Sequence, residues 1–450
     1  MSDQSDQARA LLAQAQDLIA RASALIGPDR PVPISTPDAL DRALAAAVPG
    51  QAVVLATSLV YPGVLTVPRG VTVQSETWSS GPTGQIAADE PAPRFLAGAV
   101  CTGDGHAVLG VEIRQLDPRG TIAVMAGSGA VWDRVRVLGD PKLGAKRGID
   151  FRGGSGTISR SRVAYIFQPK QDTQAVYSQE MLPGGGLDVR TSYLSAAGEV
   201  FMLGGGDSSS EAAMPSNATL SGCVLEKLPE WLALSKDSTG RDMHAEQVKN
   251  GIELKAVKGF KASGCTLVNC GGISDGQSGA AIVVTPRNQG GKAPWSRVEG
   301  ATFEDITIDG GSGILNLLGS DNVNPSGIAS GIALRRIAAT NLGREPYGKD
   351  PQGNWQAHGW LFQVDRAPAG VVLDTISASA LPLQSPGGIK ALGVFTGKAP
   401  PTGLAVSKMD LPKGTTYGWR IDGSVTGFGG SGRAALLKWM PDAVLDDTVV

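Results

Sequence analysis

The chain has 450 residues, with 61 Gly, 28 Pro, an apolar fraction of 42%, an aromatic fraction of 5% and a net charge of −2 from 40 basic and 42 acidic side chains. The length admits two or three ordinary domains or one long solenoid, and so few large aromatics favour a narrow aliphatic core over a broad one. The charges are well mixed, so no basic block marks a nucleic-acid partner, and no apolar run reaches the ~18 residues of a membrane span.

The chain opens with a helical pattern. Leu11, Ala15, Leu18, Ala22 and Leu25 alternate steps of four and three, which is the seam of a short heptad helix over residues 1–27, and Gly27-Pro28 ends it. Two readings stay open for it: a helix packed on its own domain, or a docking and self-association stalk. The same stretch lacks the basic start and small-residue cleavage site of a secretory signal, so the expectation is a protein not exported by the ordinary route. Residues 28–34 read as a proline-rich linker. A second helix is expected at 36–48, with Thr36 as N-cap, Pro37 at the first helical position and Pro49-Gly50 as the stop.

From residue 51 the pattern changes to short runs of alternating apolar residues, each followed by Gly, Ser, Asn or Asp. Several share one phrase, a Gly shortly ahead of an apolar–x–apolar step: "GSGAVWDRV", "GSGTISRSR", "LSGCVLEKL", "ASGCTLVNC" and "VEGATFEDI". A degenerate repeat of about 20–25 residues with insertions is the mark of a solenoid. With strands in every rung and no helix between them, the expected fold is all-β: a right-handed parallel β-helix with an N-terminal helical segment. Its body would cover residues 35–430, and residues 431–450, with apolar Leu436, Leu437, Trp439 and Met440, would cap the far end. Cys223 and Cys265 fall at equivalent places in the phrase, as stacked interior residues would. All four cysteines, with Cys101 and Cys270, are expected as buried thiols. The three histidines lie far apart and none sits at ligand spacing from a cysteine, so no metal and no cofactor are expected.

This pattern resembles the pectin-lyase-like superfamily of right-handed parallel β-helices, whose usual opening is a capping helix and a Pro-Gly turn like "STPDALDRALAAAVPGQAVVLA". The run from "KNGIELKAVKGFKASGCTLVNC" through "GSGILNLLGSDN" is similar to one found in many bacterial and phage β-helix proteins of unassigned activity. The enzymes of this superfold carry signatures that the chain lacks. Polygalacturonase-like hydrolases have an adjacent Asp pair in mid-solenoid, whereas the one Asp-Asp here is Asp446-Asp447 in the tail.

In a solenoid the strands are interchangeable and function sits in the excursions between them. The segment from Thr285 to Trp295 breaks the ladder with Pro286, Gly290, Gly291 and Pro294, and it offers Arg287, Asn288 and Trp295 to a ligand. The alternative is that these same residues tie the loop down. The excursion "LPEWLALSKDSTGRDMHAEQVKNGIELK" adds Trp231 and Asp237, and the acidic loop "GSDNVNPSG" adds Asp321. A carboxylate pair for glycoside cleavage would come from this region, with Glu253 or Asp309 brought near by a neighbouring rung. Taken with the resemblance, the expected function is a bacteriophage virion protein, a spike or fibre. It would dock through residues 1–34 onto other virion proteins, form a homotrimer and present the β-helix to host surface polysaccharide. The alternatives are a structural decoration protein that binds no ligand, and a free polysaccharide lyase or hydrolase.

Overall fold

A computed structural model of the chain describes residues 32–78, 87–115, 120–142, 144–169, 171–232, 248–271, 280–342, 360–380, 400–410 and 440–445, with the backbone of further short strands between them. The expected helix at 1–27 and the candidate Asp237 lie outside the described residues. The second helix runs Pro37–Ala46 and buries Leu40 against the first coil; Thr36 has the extended backbone of an N-cap, although its side chain makes no capping bond.

The body is a right-handed parallel β-helix with three sheets. Each coil passes through a first sheet, a second and a third before climbing to the next. One coil is Ser128–Asp133, Arg136–Leu138 and Arg147–Phe151, and the next begins at Ser155–Ser159. Strands of successive coils pair in parallel with their counterparts before and after, as Ile149 does with Ala123 and Val176 in the third sheet. Coil length is far less regular than a repeat of 20–25 residues. Ala52 pairs with Thr72, but Thr219 pairs with Lys261 and Lys261 with Thr302. The additional residues go into the turns, because the core fixes the strands and leaves the connections free.

The interior is a set of side-chain columns. In the first sheet Val108, Trp132, Ile158, Val189, Leu220, Ala262 and Phe303 stack in register, all buried. Phe201, Phe260 and Phe303 form a tilted ring stack with centroids 5.8 and 5.5 Å apart. Each such side chain stabilises the fold by roughly 1.5–3 kcal/mol through burial. The four cysteines are buried, free thiols. Ser221 pairs with Ser263 and Val224 with Thr266, so Cys223 and Cys265 do stack at one interior position.

The shared glycine phrase turns out to merge two separate corners. One column of left-handed residues opens the first sheet: Gly105, Gly129, Asn217, Gly259, Gly300 and Gly331. A second column turns the chain from the first sheet into the second: Gly110, Arg134, Arg160, Thr191, Gly222, Gly264 and Asp305. Gly264 and Gly300 therefore belong to different corners. At the first corner the positive φ rather than crowding favours glycine, since a Cβ on Gly331 would lie in ordinary contact, 3.5 Å from Gly300, and Asn217 holds the same position in another coil. The second corner likewise accepts non-glycine residues at positive φ, here Arg134, Arg160, Thr191 and Asp305. At the far end Met440 is buried in the core, and Val444–Leu445 pairs with Ala405 and Val406 of the last described coil.

Candidate functional site

The turns that lead from the third sheet back to the first build one continuous wall across several coils. The segment 285–297 is its centre. Thr285 and Arg287 donate backbone bonds to Leu254 and Lys255, which carries the loop out of the ladder alongside the previous coil. Asn288 is fully buried and acts as the loop's internal tie. Its amide donates to Pro325 O at 2.7 Å, and its side-chain oxygen accepts from Ala293 N–H at 2.7 Å. Asp321 accepts from the backbone N–H groups of Asn288 and Val323 and pairs with Arg287 at 2.9 Å. Burial would raise the Asp321 carboxyl, but these donors and the Arg287 charge hold it below its ordinary range.

The turn two coils before closes the loop from its other side. Asp207 accepts from Gly290 N–H at 3.0 Å and from Lys292 N–H at 3.0 Å. Ser208 Oγ accepts from Trp295 Nε1 at 3.0 Å. Glu211 binds Lys258 at 2.9 Å and Arg297 at 3.0 Å, and Arg297 also meets Glu299 at 3.0 Å. One coil further back, Gln179 donates to Asp207 O and Glu180 accepts from Ser209 N–H. Trp295 is thus held by its ring nitrogen yet remains partly exposed, with Pro294, Val323, Pro325 and Ile328 exposed on the same wall.

Of the residues singled out from the sequence, Arg287, Asn288, Trp295 and Asp321 come together here. Trp231 does not. It lies at a different corner, buried with Phe167, Ala197 and Val248, and its ring sits 5.9 Å from Phe167. Asp309 is on the second sheet, where it accepts from Asn341 at 2.6 Å. Sequence reasoning missed Asp207, Ser208 and Glu211. The stretch "GGGDSSSE" has no motif that singles it out, and its bonds to the loop cross more than eighty positions.

Beside the wall, the outward face of the third sheet carries a second cluster. Glu199 and Glu253 project from neighbouring coils, and both are buried. Glu199 is met by Lys249 at 2.8 Å and by Gln174 at 2.8 Å; Glu253 is met by Lys255 at 3.1 Å and by Asn250 at 2.9 Å. Lys249 also reaches Asp172 at 3.2 Å. The same burial acts on the two carboxyls with opposite results. Burial pushes Glu253 above the ordinary range, with Lys255 pulling against it and the Glu199 charge adding to the rise. Burial would raise Glu199 too, but the Lys249 and Lys255 charges override it and hold it at about 2. Below them Lys227 is fully buried, its ammonium donating to the carbonyls of Ala196, Ala197 and Gly198; burial pulls it down to about 8. Among the described residues no group of His, Cys, Asp and Glu is arranged to hold a metal ion, and no helix is long and apolar enough to cross a membrane.

No family model matches the sequence, and no curated protein is significantly similar to it. Among solved structures, the chain is similar to a tailspike protein of Acinetobacter baumannii bacteriophage Fri1, a capsular polysaccharide depolymerase, at 10% identity and a TM-score of 0.41. That match covers 91% of this chain, which spans 62% of the tailspike's length. It is also similar to an endo-xylogalacturonan hydrolase from Aspergillus tubingensis at 10% identity and a TM-score of 0.45, covering 82% of this chain and 96% of the hydrolase. An alginate lyase, AlyF-OU02, matches at 12% identity and a TM-score of 0.43, over 95% of this chain and 99% of the lyase. These are likenesses of fold among proteins with different activities.

Proposed function

We propose that this chain is an attachment spike of a bacterial virus, whose β-helix binds host surface polysaccharide on the wall around Trp295. The observation that carries this reading is the bracing of that wall. Asp207, Ser208, Asn288 and Asp321 fix the 285–297 loop from both sides and leave Trp295 partly exposed. A ring held in place before the ligand arrives binds a sugar face without the cost of ordering a loop. In this reading residues 1–34 dock onto the particle and associate three chains, and residues 431–450 close the far end.

Equilibrium binding of the full chain to purified bacterial surface polysaccharides tests the proposal. Trp295→Ala should abolish binding while the melting temperature holds. Unchanged binding would overturn the site. The assembly has its own test in light scattering. The full chain should show a mass near three times 46.2 kDa, and a chain starting at Pro33 should be a monomer.

A second reading is cleavage of the polysaccharide, for which the opposite shifts of Glu199 and Glu253 are the attraction. Both carboxylates are buried, and all four of their oxygens already meet a cation or an amide. That arrangement favours binding over cleavage. Release of reducing ends or of unsaturated sugars on incubation, lost in Glu253→Gln, would reverse the preference.

A further inference from the structure

The charges around Trp295 are paired in two arrangements: in the Arg287–Asp321 pair the cation is the more exposed partner, 22% against 0%, and in the pairs that adjoin Trp295 through Arg297 it is the carboxylate. Arg287 is matched by Asp321 at 2.9 Å, Lys258 by Glu211 at 2.9 Å, and Arg297 by Glu211 and Glu299 at 3.0 Å each. Within the pairs nearest Trp295, the carboxylates face outward and the cations sit behind them. The side chains of Glu211 and Glu299 are 52% and 51% exposed, against 25% for Arg297 and 35% for Lys258. Arg297 also donates to Trp295 O at 3.2 Å, so this carboxylate rim is fastened to the tryptophan's own backbone. Lys292 is exposed at the loop tip and is held there through its main-chain nitrogen, which donates to Asp207 at 3.0 Å.

A uronate or other acidic sugar arriving here meets carboxylates first. To reach Arg297 or Lys258 it must displace an existing ion pair, which gains it little and costs the pair. A neutral sugar meets the same groups on favourable terms. Its hydroxyl hydrogens donate to the outward carboxylate oxygens, its hydroxyl oxygens accept from the guanidinium behind them, and its carbon face lies on the indole. The exposed Pro294, Val323, Pro325 and Ile328 extend an uncharged surface beside it.

We infer that the Trp295 subsite takes a neutral, hydroxyl-rich hexose unit and discriminates against acidic glycans. This rests on the reading of the wall as a glycan-binding surface and narrows the ligand it accepts.

The experiment is equilibrium binding of the full chain to two sets of polysaccharides. The neutral set is dextran, mannan and galactan; the acidic set is alginate and polygalacturonate. Each is measured at low and high salt, from about 0.05 M to about 0.5 M, where screening separates charge attraction from hydroxyl recognition. The expected result is binding to a member of the neutral set with an affinity that changes less than about twofold across that range. Trp295→Ala should abolish it, and the surface change Glu211→Gln should weaken it by about tenfold, the size of one charge-assisted hydrogen bond. The double variant Glu211→Lys, Glu299→Lys should reverse the preference toward the acidic set. Salt-sensitive binding of an acidic glycan that is lost in Trp295→Ala would overturn the neutral specificity and leave the glycan-binding wall standing. Binding to neither set, or binding indifferent to Trp295→Ala, would overturn both.

Discussion

Two outer faces of the same solenoid carry charge in opposite ways. In the later coils the charged side chains of the first sheet stand in water, whereas Asp133, in an earlier coil, is buried against Arg160. Lys261 meets Glu304 at 3.0 Å, and at the adjoining corner Arg336 meets Asp305 at 2.7 Å, with most of these groups about half exposed. On the third sheet Glu199, Glu253 and Lys249 are out of water, each fixed by a cation, a carboxylate or an amide. The backbone geometry of the two faces is the same parallel ladder. What differs is the length of the turns beside them, and so the environment of the charges. An ion pair in water contributes little, because solvent screens it and two long side chains must be ordered. A buried pair is different: its formation gives little net stability, but losing one partner leaves a charge with no solvent. The first face can therefore drift in sequence, while the second is fixed as a set.

The sharpest way to break this comparison is to remove one buried partner. Lys249→Met strips Glu199 of its nearest cation and should destabilise the coils around it by about 3–5 kcal/mol. Denaturant unfolding would measure it, with hydrogen exchange placing the loss in strands Glu199–Leu203 and Ile252–Leu254. The double change Glu199→Gln, Lys249→Met should recover much of the loss, since it removes the orphaned charge. An intermediate effect is expected on the wall. Asp207→Ala leaves the N–H groups of Gly290 and Lys292 without their acceptor, which should cost about 1–2 kcal/mol and raise exchange across 288–295.

The same network makes stability depend on pH in two directions. Glu199 is held below its ordinary value of 4.5, so its contribution is present above that pH and is lost as pH falls toward about 2. Glu253 is raised, so its contribution is present below 4.5 and is lost as pH climbs through its elevated folded value. Local stability of the third sheet should therefore peak between the two. Glu253→Gln fixes the neutral form, so it should remove the loss on the alkaline side and leave the acid side unchanged. Exchange rates of the third-sheet amides across pH would show whether one limb disappears alone.

How much of this was legible in the sequence follows from the range of the interactions. The parallel β-helix was legible because its signals are local: alternation within a strand, glycine at a corner, proline outside the ladder. Even the stacked Cys223 and Cys265 could be read, because neighbouring coils repeat the same short phrase. The glycine phrase misled where two corners of similar chemistry both favour left-handed residues, as at Gly264 and Gly300. The loop 285–297 announced itself through its prolines, but not what braces it. Asp207 binds it from a distance in sequence at which no periodicity survives, and the coil between them is among the longest. The pairing of Glu199 with Lys249 was hidden for the same reason: irregular turns decide which residues of successive coils meet.

The smallest expected effect is the most discriminating control. Arg336 holds Asp305 through two bonds, at 2.7 and 2.9 Å, which on distance alone is a better pair than Lys249 with Asp172 at 3.2 Å. Both partners also sit at left-handed corner positions, so the pair looks structural. Yet Arg336→Ala should leave the melting temperature unchanged. The freed Asp305 carboxylate points into water and is solvated as soon as it is released, and the Arg336 backbone keeps its place in the corner column, where glycine, threonine and lysine serve in other coils. Arg336→Gly should be equally silent, because a glycine relieves the left-handed backbone rather than straining it. A marked loss from either change would mean that short exposed pairs do hold adjacent coils together, and that bond length rather than burial separates the two faces.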